Sequence, residues 1–140
     1  ALGRLIYLTA QDMRNFAGKI VSPFDLTIEQ FHLLKNLSCD SGMTQRQIGE
    51  IAGKTAANMT RILDRLELKS LIERQPDPND RRASQVFLTE TGKGITENVF
   101  GVFESFSEDL VKGITEQEQE IVKKSLKIIK ANLGAMHERL

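Results

Sequence analysis

The sequence predicts a mainly α-helical fold that carries one small β-hairpin. Apolar residues recur at helical spacing in six segments. Three of these segments open at Thr27, Thr44 and Thr115 with Gln or Glu three positions later, which is the pattern of a helix capping box. Between the fourth and fifth segments the pattern changes to two short runs, residues 71–75 and 84–88, that favour strands.

The first two helices lie before residue 43. Residues 2–21 have the spacing of one long helix, which Ser22-Pro23 ends because proline cannot continue it. Thr27 opens the second helix, and the polar residues 39–42 close it.

The third and fourth helices are close together. The third begins at Thr44 and ends before Gly53, a residue suited to the left-handed position past a helix. The fourth runs from Thr55 to about Lys69. The residues of the third helix that we expect to face inward are Ile48, Ile51 and Ala52.

The second half of the chain predicts a hairpin and two long helices. The hairpin has a polar loop at residues 76–83. A fifth helix begins near Thr89 and is interrupted at Gly113, and a sixth follows from Thr115. These helices and the first carry long apolar stripes that a small lobe cannot cover, so we expect them to pair with a second copy of the chain.

Composition excludes several classes of protein. The 140 residues have a net charge of zero, no apolar run long enough for a membrane span and no secretory signal. The chain begins with Ala, which leaves open a trimmed N-terminus. With Cys39 the only cysteine and two distant histidines, we expect a cytoplasmic protein that has no metal site and no cofactor. We find no nucleophile elbow or phosphate loop, so we expect no enzyme activity.

Residues 44–69 have the form of a helix-turn-helix, two helices joined by a tight turn that contains glycine. The start of the second helix carries small and hydrogen-bonding residues, which suit close approach to a major groove. Residues 44–84 hold eight basic and six acidic side chains, against seven and nine in residues 85–140. The outward residues of this second helix are Thr55, Ala56, Asn58, Thr60 and Arg61.

The hairpin tip is the strongest single clue to function. Asp80-Arg81-Arg82 lies between the two strands, and adjacent guanidinium groups on a thin ribbon can enter a minor groove. Asp80 repels phosphate, so we expect it to hold one arginine through a paired hydrogen bond.

These segments resemble the MarR family of regulators of the multiple-antibiotic-resistance type. The resemblance covers residues 26–95 closely and the flanking helices loosely. The first residues that match the family are Leu26-Thr27 together with Gln30. The other matching stretches, in the family's order and spacing, are MTQRQIGEIAG (43–53), NMTRILDRLELKSLIER (58–74), DPNDRRA (77–83) and FLTETGK (87–93).

The resemblance implies a single domain, residues 1–140, of the winged helix-turn-helix fold with N- and C-terminal dimerisation helices. Residues 1–25 and 89–140 would dimerise, and residues 26–88 would form the DNA-binding lobe. It implies a bacterial homodimer that binds a pseudo-palindromic operator, acts as a repressor and is released by a small aromatic or anionic effector.

The predicted sites follow from the residue types and from the matched positions together. Family members usually have Gly where this chain has Ser70, which therefore needs a left-handed backbone. The predicted DNA-binding residues are Thr44, Gln45, Arg46, Lys54, Thr55, Ala56, Asn58, Thr60, Arg61, Arg65, Arg74, Asp80, Arg81 and Arg82. The predicted ligand-pocket residues are Phe16, Phe31, Phe100, Phe103 and Phe106.

Two alternatives stay open from sequence. Cys39 could sense oxidants, as cysteines do in one branch of the family, but no neighbouring basic residue is evident to activate it. Neutral net charge also fits a winged-helix module that binds proteins instead of DNA.

Overall fold

The computed structural model describes residues 1–52 and 56–140. In that part of the chain a short 3-10 turn, Ser22–Phe24, separates the first two helices. The helices are α1 (Leu2–Val21), α2 (Ile28–Lys35), α3 (Gln45–Ala52), α4 (Ala56–Leu68), α5 (Glu90–Ser105), α6 (Ser107–Leu110) and α7 (Glu116–His137). The strands are β1 (Met43–Thr44), β2 (Ile72–Asp77) and β3 (Asp80–Leu88).

All three predicted capping boxes are present. At α2, Gln30 N donates to Thr27 Oγ1 and Thr27 N donates to Gln30 Oε1, both at 3.1 Å. Before α3, Gln47 N donates to Thr44 Oγ1 at 3.1 Å, and the reciprocal bond is 2.9 Å. Thr115 and Glu118 repeat the arrangement at α7. Each box satisfies two backbone donors that the first turn leaves unpaired.

The sheet has three antiparallel strands in the order β1-β3-β2, and the sequence analysis missed β1. Met43 pairs with Val86 and Thr44 with Gln85, so β3 has a neighbour on each side. The hairpin of β2, β3 and residues 78–79, here called the wing, is longer than predicted. The predicted loop at 76–83 is wrong, because backbone pairing continues through polar residues and leaves a turn only at residues 78–79.

Pro76 lies within β2, which forms one edge of the sheet. A proline has no N–H to donate to a ladder and is therefore tolerated on an edge strand. The register also shifts between Pro76 and Asp77.

The core of the first compact unit, Ala1–Glu104, lies between α2, α4 and the sheet. Ile48 of α3 is buried there, but Ile51 is 58% exposed and Ala52 is exposed, so their predicted burial is wrong. A helix of eight residues has about two turns, and α3 turns only Ile48 fully into the core. The fully buried side chains include Leu34, Met59, Leu63, Leu66 and Val86.

The second unit, Ser105–Leu140, contains α6 and α7. Gly113 has φ +85°, as expected of a residue that interrupts a helix. The fifth helix nevertheless ends earlier than predicted, at Ser105, before the single turn of α6. Ser105 and Ser107 flank the break, and serine side chains compete with helical backbone hydrogen bonds. Among the described residues, no helix is both long and apolar enough to cross a membrane.

Candidate nucleic-acid interface

Helices α3 and α4 are the two helices of the predicted helix-turn-helix. The turn predicted at Gly53-Lys54 lies outside the described residues. Met59, Leu63 and Leu66 are fully buried and fix one side of α4 against the core. Gln45 at the start of α3 donates from Nε2 to Thr60 Oγ1 of α4 at 2.6 Å, which ties the two helices together on their outer side. Gln45 and Thr60, both predicted DNA-binding residues, are thus in direct contact.

The opposite side of α4 is open to solvent. Asn58, Thr60, Arg61 and Arg65 are all exposed on it. Ala56 is the first residue of the helix. The predicted residues Lys54 and Thr55 lie outside the described residues. This face therefore presents amide, hydroxyl and guanidinium groups, which can hydrogen-bond to base edges and phosphates.

The start of α3 adds one exposed cation. The Arg46 side chain is largely exposed, and its Nε lies 3.4 Å from Glu50 Oε1. An exposed pair of this kind is worth at most about 1 kcal/mol, so Arg46 can exchange Glu50 for a phosphate at small cost. The hydroxyl of Thr44, another predicted DNA-binding residue, accepts a hydrogen bond from Gln47 N and thereby caps α3.

Arg81 and Arg82 are exposed on β3, next to the tip of the wing. Asp80 Oδ1 accepts from the backbone N–H of Arg82 at 2.9 Å, and Asp77 Oδ1 accepts from Asn79 N at the same distance. Within the described ranges no ion pair joins Asp80 to either arginine, so the pairing that we expected there is not seen. Asp80 shapes the backbone of the turn and leaves both guanidinium groups in solvent.

Arg74 differs from the other predicted cations. It projects from β2 onto α4, where its Nη1 lies 2.8 Å from Asp64 Oδ1 and 3.6 Å from Glu67 Oε1. Its side chain is only 23% exposed. The sequence analysis missed Asp64 and Glu67 as the partners of Arg74.

The turn between α4 and the wing adopts the predicted backbone. Ser70 has φ +61°, the left-handed conformation expected where the family usually has glycine. Thr89 Oγ1 donates to Ser70 O at 2.7 Å and accepts from Gly92 N at 2.9 Å. The start of α5 is therefore bonded to the turn that leads into the wing.

The predicted pocket phenylalanines have different environments. Phe31 is buried and stacks on Phe103, with ring centroids 5.4 Å apart. Phe16 and Phe100 are about half exposed, and Phe106 belongs to the second unit. A cavity of about 490 Å³ among α1, α2, α3 and α4 is lined by none of the five.

Cys39 is partly buried, with its Sγ 3.7 Å from Thr89 O. Burial and then the charge of Glu90 raise the pKa of the thiol, and they outweigh the opposing effect of Lys93, a neighbour that the sequence did not reveal. The thiol form is therefore favoured over the nucleophilic thiolate. Among the described residues, no group of three or more His, Cys, Asp or Glu side chains could hold a metal ion.

Two packed helices with a polar outer face, followed by a wing tipped with arginines, define a winged helix-turn-helix protein, a DNA-binding class. Residues 26–84 match the model of the MarR family. The chain is 34% identical over 118 residues to the multiple antibiotic resistance protein MarR of Escherichia coli, covering 84% of this chain and 82% of that protein. The chain therefore belongs to the MarR family, whose members are DNA-binding transcription regulators and not enzymes.

Solved structures of relatives share the fold. An E. coli MarR variant complexed with operator DNA has a TM-score of 0.81 and 32% identity, and the match covers 91% of this chain and 92% of that one. The complex of Staphylococcus aureus MepR with DNA has a TM-score of 0.83 and 28% identity, covering 95% and 98%. These likenesses support the mainly helical fold with a three-stranded wing and long terminal helices.

Proposed function

We propose that the chain is a homodimeric repressor that binds a pseudo-palindromic operator. In each copy residues 26–88 bind DNA, with α4 in a major groove and the wing in a flanking minor groove. The single observation that carries this proposal is the exposed polar face of α4 opposite its buried side. Two relatives with the same fold, an E. coli MarR variant and S. aureus MepR, form complexes with DNA, which supports DNA binding by this chain.

The terminal segments, residues 1–25 and 89–140, form the dimer in this proposal. A stripe along α7 repeats at intervals of four and three residues, which is the spacing of a helix-pairing seam. A two-fold dimer presents two copies of α4 and therefore requires a palindromic site. The stripe comprises Val122, Leu126, Ile129, Leu133 and Met136.

Binding is tested by selecting fragments from genomic DNA and then measuring anisotropy over a salt series. The wild type should bind the selected operator in preference to random duplex, and affinity should fall steeply with salt because phosphate contacts release counterions. A flat salt response would contradict DNA binding and favour a protein-binding module.

Arg82→Ala should weaken operator binding several-fold through the lost minor-groove contact, while the dimer stays intact. Lys112→Ala, which removes an exposed positive charge outside the lobe, is the matched control. Equal affinities of the two variants would contradict the role of the wing. Asn58→Ala should relax sequence preference by about 1–3 kcal/mol if Asn58 reads a base edge.

We further propose that a small aromatic or anionic ligand releases the DNA. Oxidative release is disfavoured, because the partly buried Cys39 Sγ lies 3.7 Å from Thr89 O and its raised pKa disfavours the reactive thiolate. Phenolic and anionic aromatic compounds should lower the anisotropy of the bound operator, and Cys39→Ser should respond to them as the wild type does. Release by peroxide from the wild type but not from Cys39→Ser would support the redox alternative.

A further inference from the structure

We infer that Arg74 is a positioning residue that fixes the wing against α4 and does not contact DNA. This inference rests on the proposed function, because it concerns how the two DNA-binding elements are held together. It also revises the prediction from sequence, in which Arg74 was one of the phosphate-binding cations.

The contacts of Arg74 point into the protein. Its Nη1 is shared between Asp64 and Glu67, which lie one turn apart on the same side of α4. Its Nη2 is fully buried and has no hydrogen-bond partner among the described residues. A phosphate could reach this guanidinium only if the side chain left both carboxylates, whereas Arg81 and Arg82 are already in solvent.

The charges of α4 give the contact a second effect. Asp64 and Glu67 are the only acidic residues of the helix, and each side chain is about half exposed. Two carboxylates on a DNA-binding helix repel phosphate. Arg74 offsets part of that charge, and Arg61 and Arg65 remain as the exposed cations of the helix.

The position of Arg74 explains why one contact can govern the reach of the wing. The wing joins α4 through a short turn, in which Leu71 N donates to Leu66 O and Ser70 N to Glu67 O. Arg74 lies two residues into β2 and adds a side-chain contact with α4. The tip of the wing begins four residues after Arg74. At 3.3 Å per residue the tip is roughly 13 Å away, so a tilt of about 10° at this contact moves it roughly 2 Å.

The double variant Asp64→Asn/Glu67→Gln separates positioning from charge. It makes α4 more positive by two charges, so electrostatics alone would tighten binding to any DNA. If the contact between Arg74 and α4 positions the wing, operator binding should instead weaken roughly five-fold or more, the lower end of what a lost groove contact costs. The control, Asp40→Asn/Glu97→Gln, removes two exposed carboxylates elsewhere and should not weaken it.

Arg74→Gln provides the second measurement. A positioning role predicts that Arg74→Gln loses more affinity for the operator than for random duplex, with the slope of log affinity against log salt unchanged. The triple variant, which combines all three substitutions, should bind the operator no more weakly than whichever of Arg74→Gln and the double variant has the lower affinity. All of these variants disrupt the same contact between Arg74 and α4, so their effects should not add. Because Asp64 and Glu67 are each about half exposed, loss of their ion pairs should keep the thermal unfolding midpoint of these variants within a few degrees of wild type.

Two results would overturn the inference. One is tighter operator binding by Asp64→Asn/Glu67→Gln. The other is an equal loss on both duplexes by Arg74→Gln with the salt slope reduced by about 0.9, which marks a phosphate contact. Either result leaves operator binding by the wild type intact, whereas a wild type that binds no operator overturns the proposed function as well.

Discussion

The proposed DNA-binding lobe, residues 26–88, and the C-terminal helix α7 differ in how much of their apolar surface one chain covers. In the lobe, Leu34, Met59 and Val86 are fully buried. In α7 no residue is buried, and Leu126 and Leu133 are about half exposed. One polypeptide therefore completes the core of the lobe, whereas α7 keeps an exposed apolar stripe, which we propose that a second copy covers. Stability and assembly can consequently be altered separately.

The largest expected effect comes from a substitution that disrupts the dimer and leaves the fold of the lobe intact. Leu126→Glu places a charge on the α7 stripe and should give a monomer with operator binding weakened at least about 100-fold, because the linked second half-site is lost. Sedimentation and anisotropy measure the two effects. Ala131→Glu, on the opposite side of α7, is the control with the same charge. A dimeric Leu126→Glu protein would contradict the proposed interface.

A middle-sized effect concerns the joint between the lobe and α5. Gly92 is buried, and a Cβ there would overlap Leu71 O and the Leu88 side chain. Gly92→Ala should lower the free energy of unfolding by about 1–3 kcal/mol through overpacking. Gly94→Ala in the same helix meets nothing within 4 Å and should raise it by up to about 1 kcal/mol. Urea denaturation measures both, and equal changes would contradict the close approach at Gly92.

The smallest effect is a stabilisation at the turn into the wing. Ser70→Gly should relieve the left-handed backbone and raise the free energy of unfolding by about 0.5–1 kcal/mol. Asp25 has a similar φ of +57°, but its carboxylate lies 3.6 Å from Lys69 Nζ. Asp25→Gly should therefore gain less. Urea denaturation distinguishes the two, and a loss of stability in Ser70→Gly would contradict the strain.

Sequence predicted the features that depend on near neighbours. The capping boxes at Thr27, Thr44 and Thr115 and the left-handed Ser70 each involve residues within a few positions. They are correct because local hydrogen bonds and sterics determine them.

Sequence failed where the partner is distant in the chain. Strand β1 exists only because Met43 meets Val86, and no two-residue segment predicts such a pairing. Exposure of Ile51 likewise depends on which neighbours α3 meets. The residue types predict Arg81, Arg82 and Asn58 as DNA-binding residues, and all three are exposed. They could not reveal that Arg74 of β2 has its partners on α4, because that contact depends on how the strand packs on the helix.

Pro76 in the edge strand also bears on solubility. An uncovered edge is a template on which another chain can add a strand, and a wing that must project from the lobe cannot hide its edge. The missing N–H of Pro76 and the register shift beside it interrupt that template. The wing can thus remain exposed without offering β2 as a continuous template for aggregation between copies.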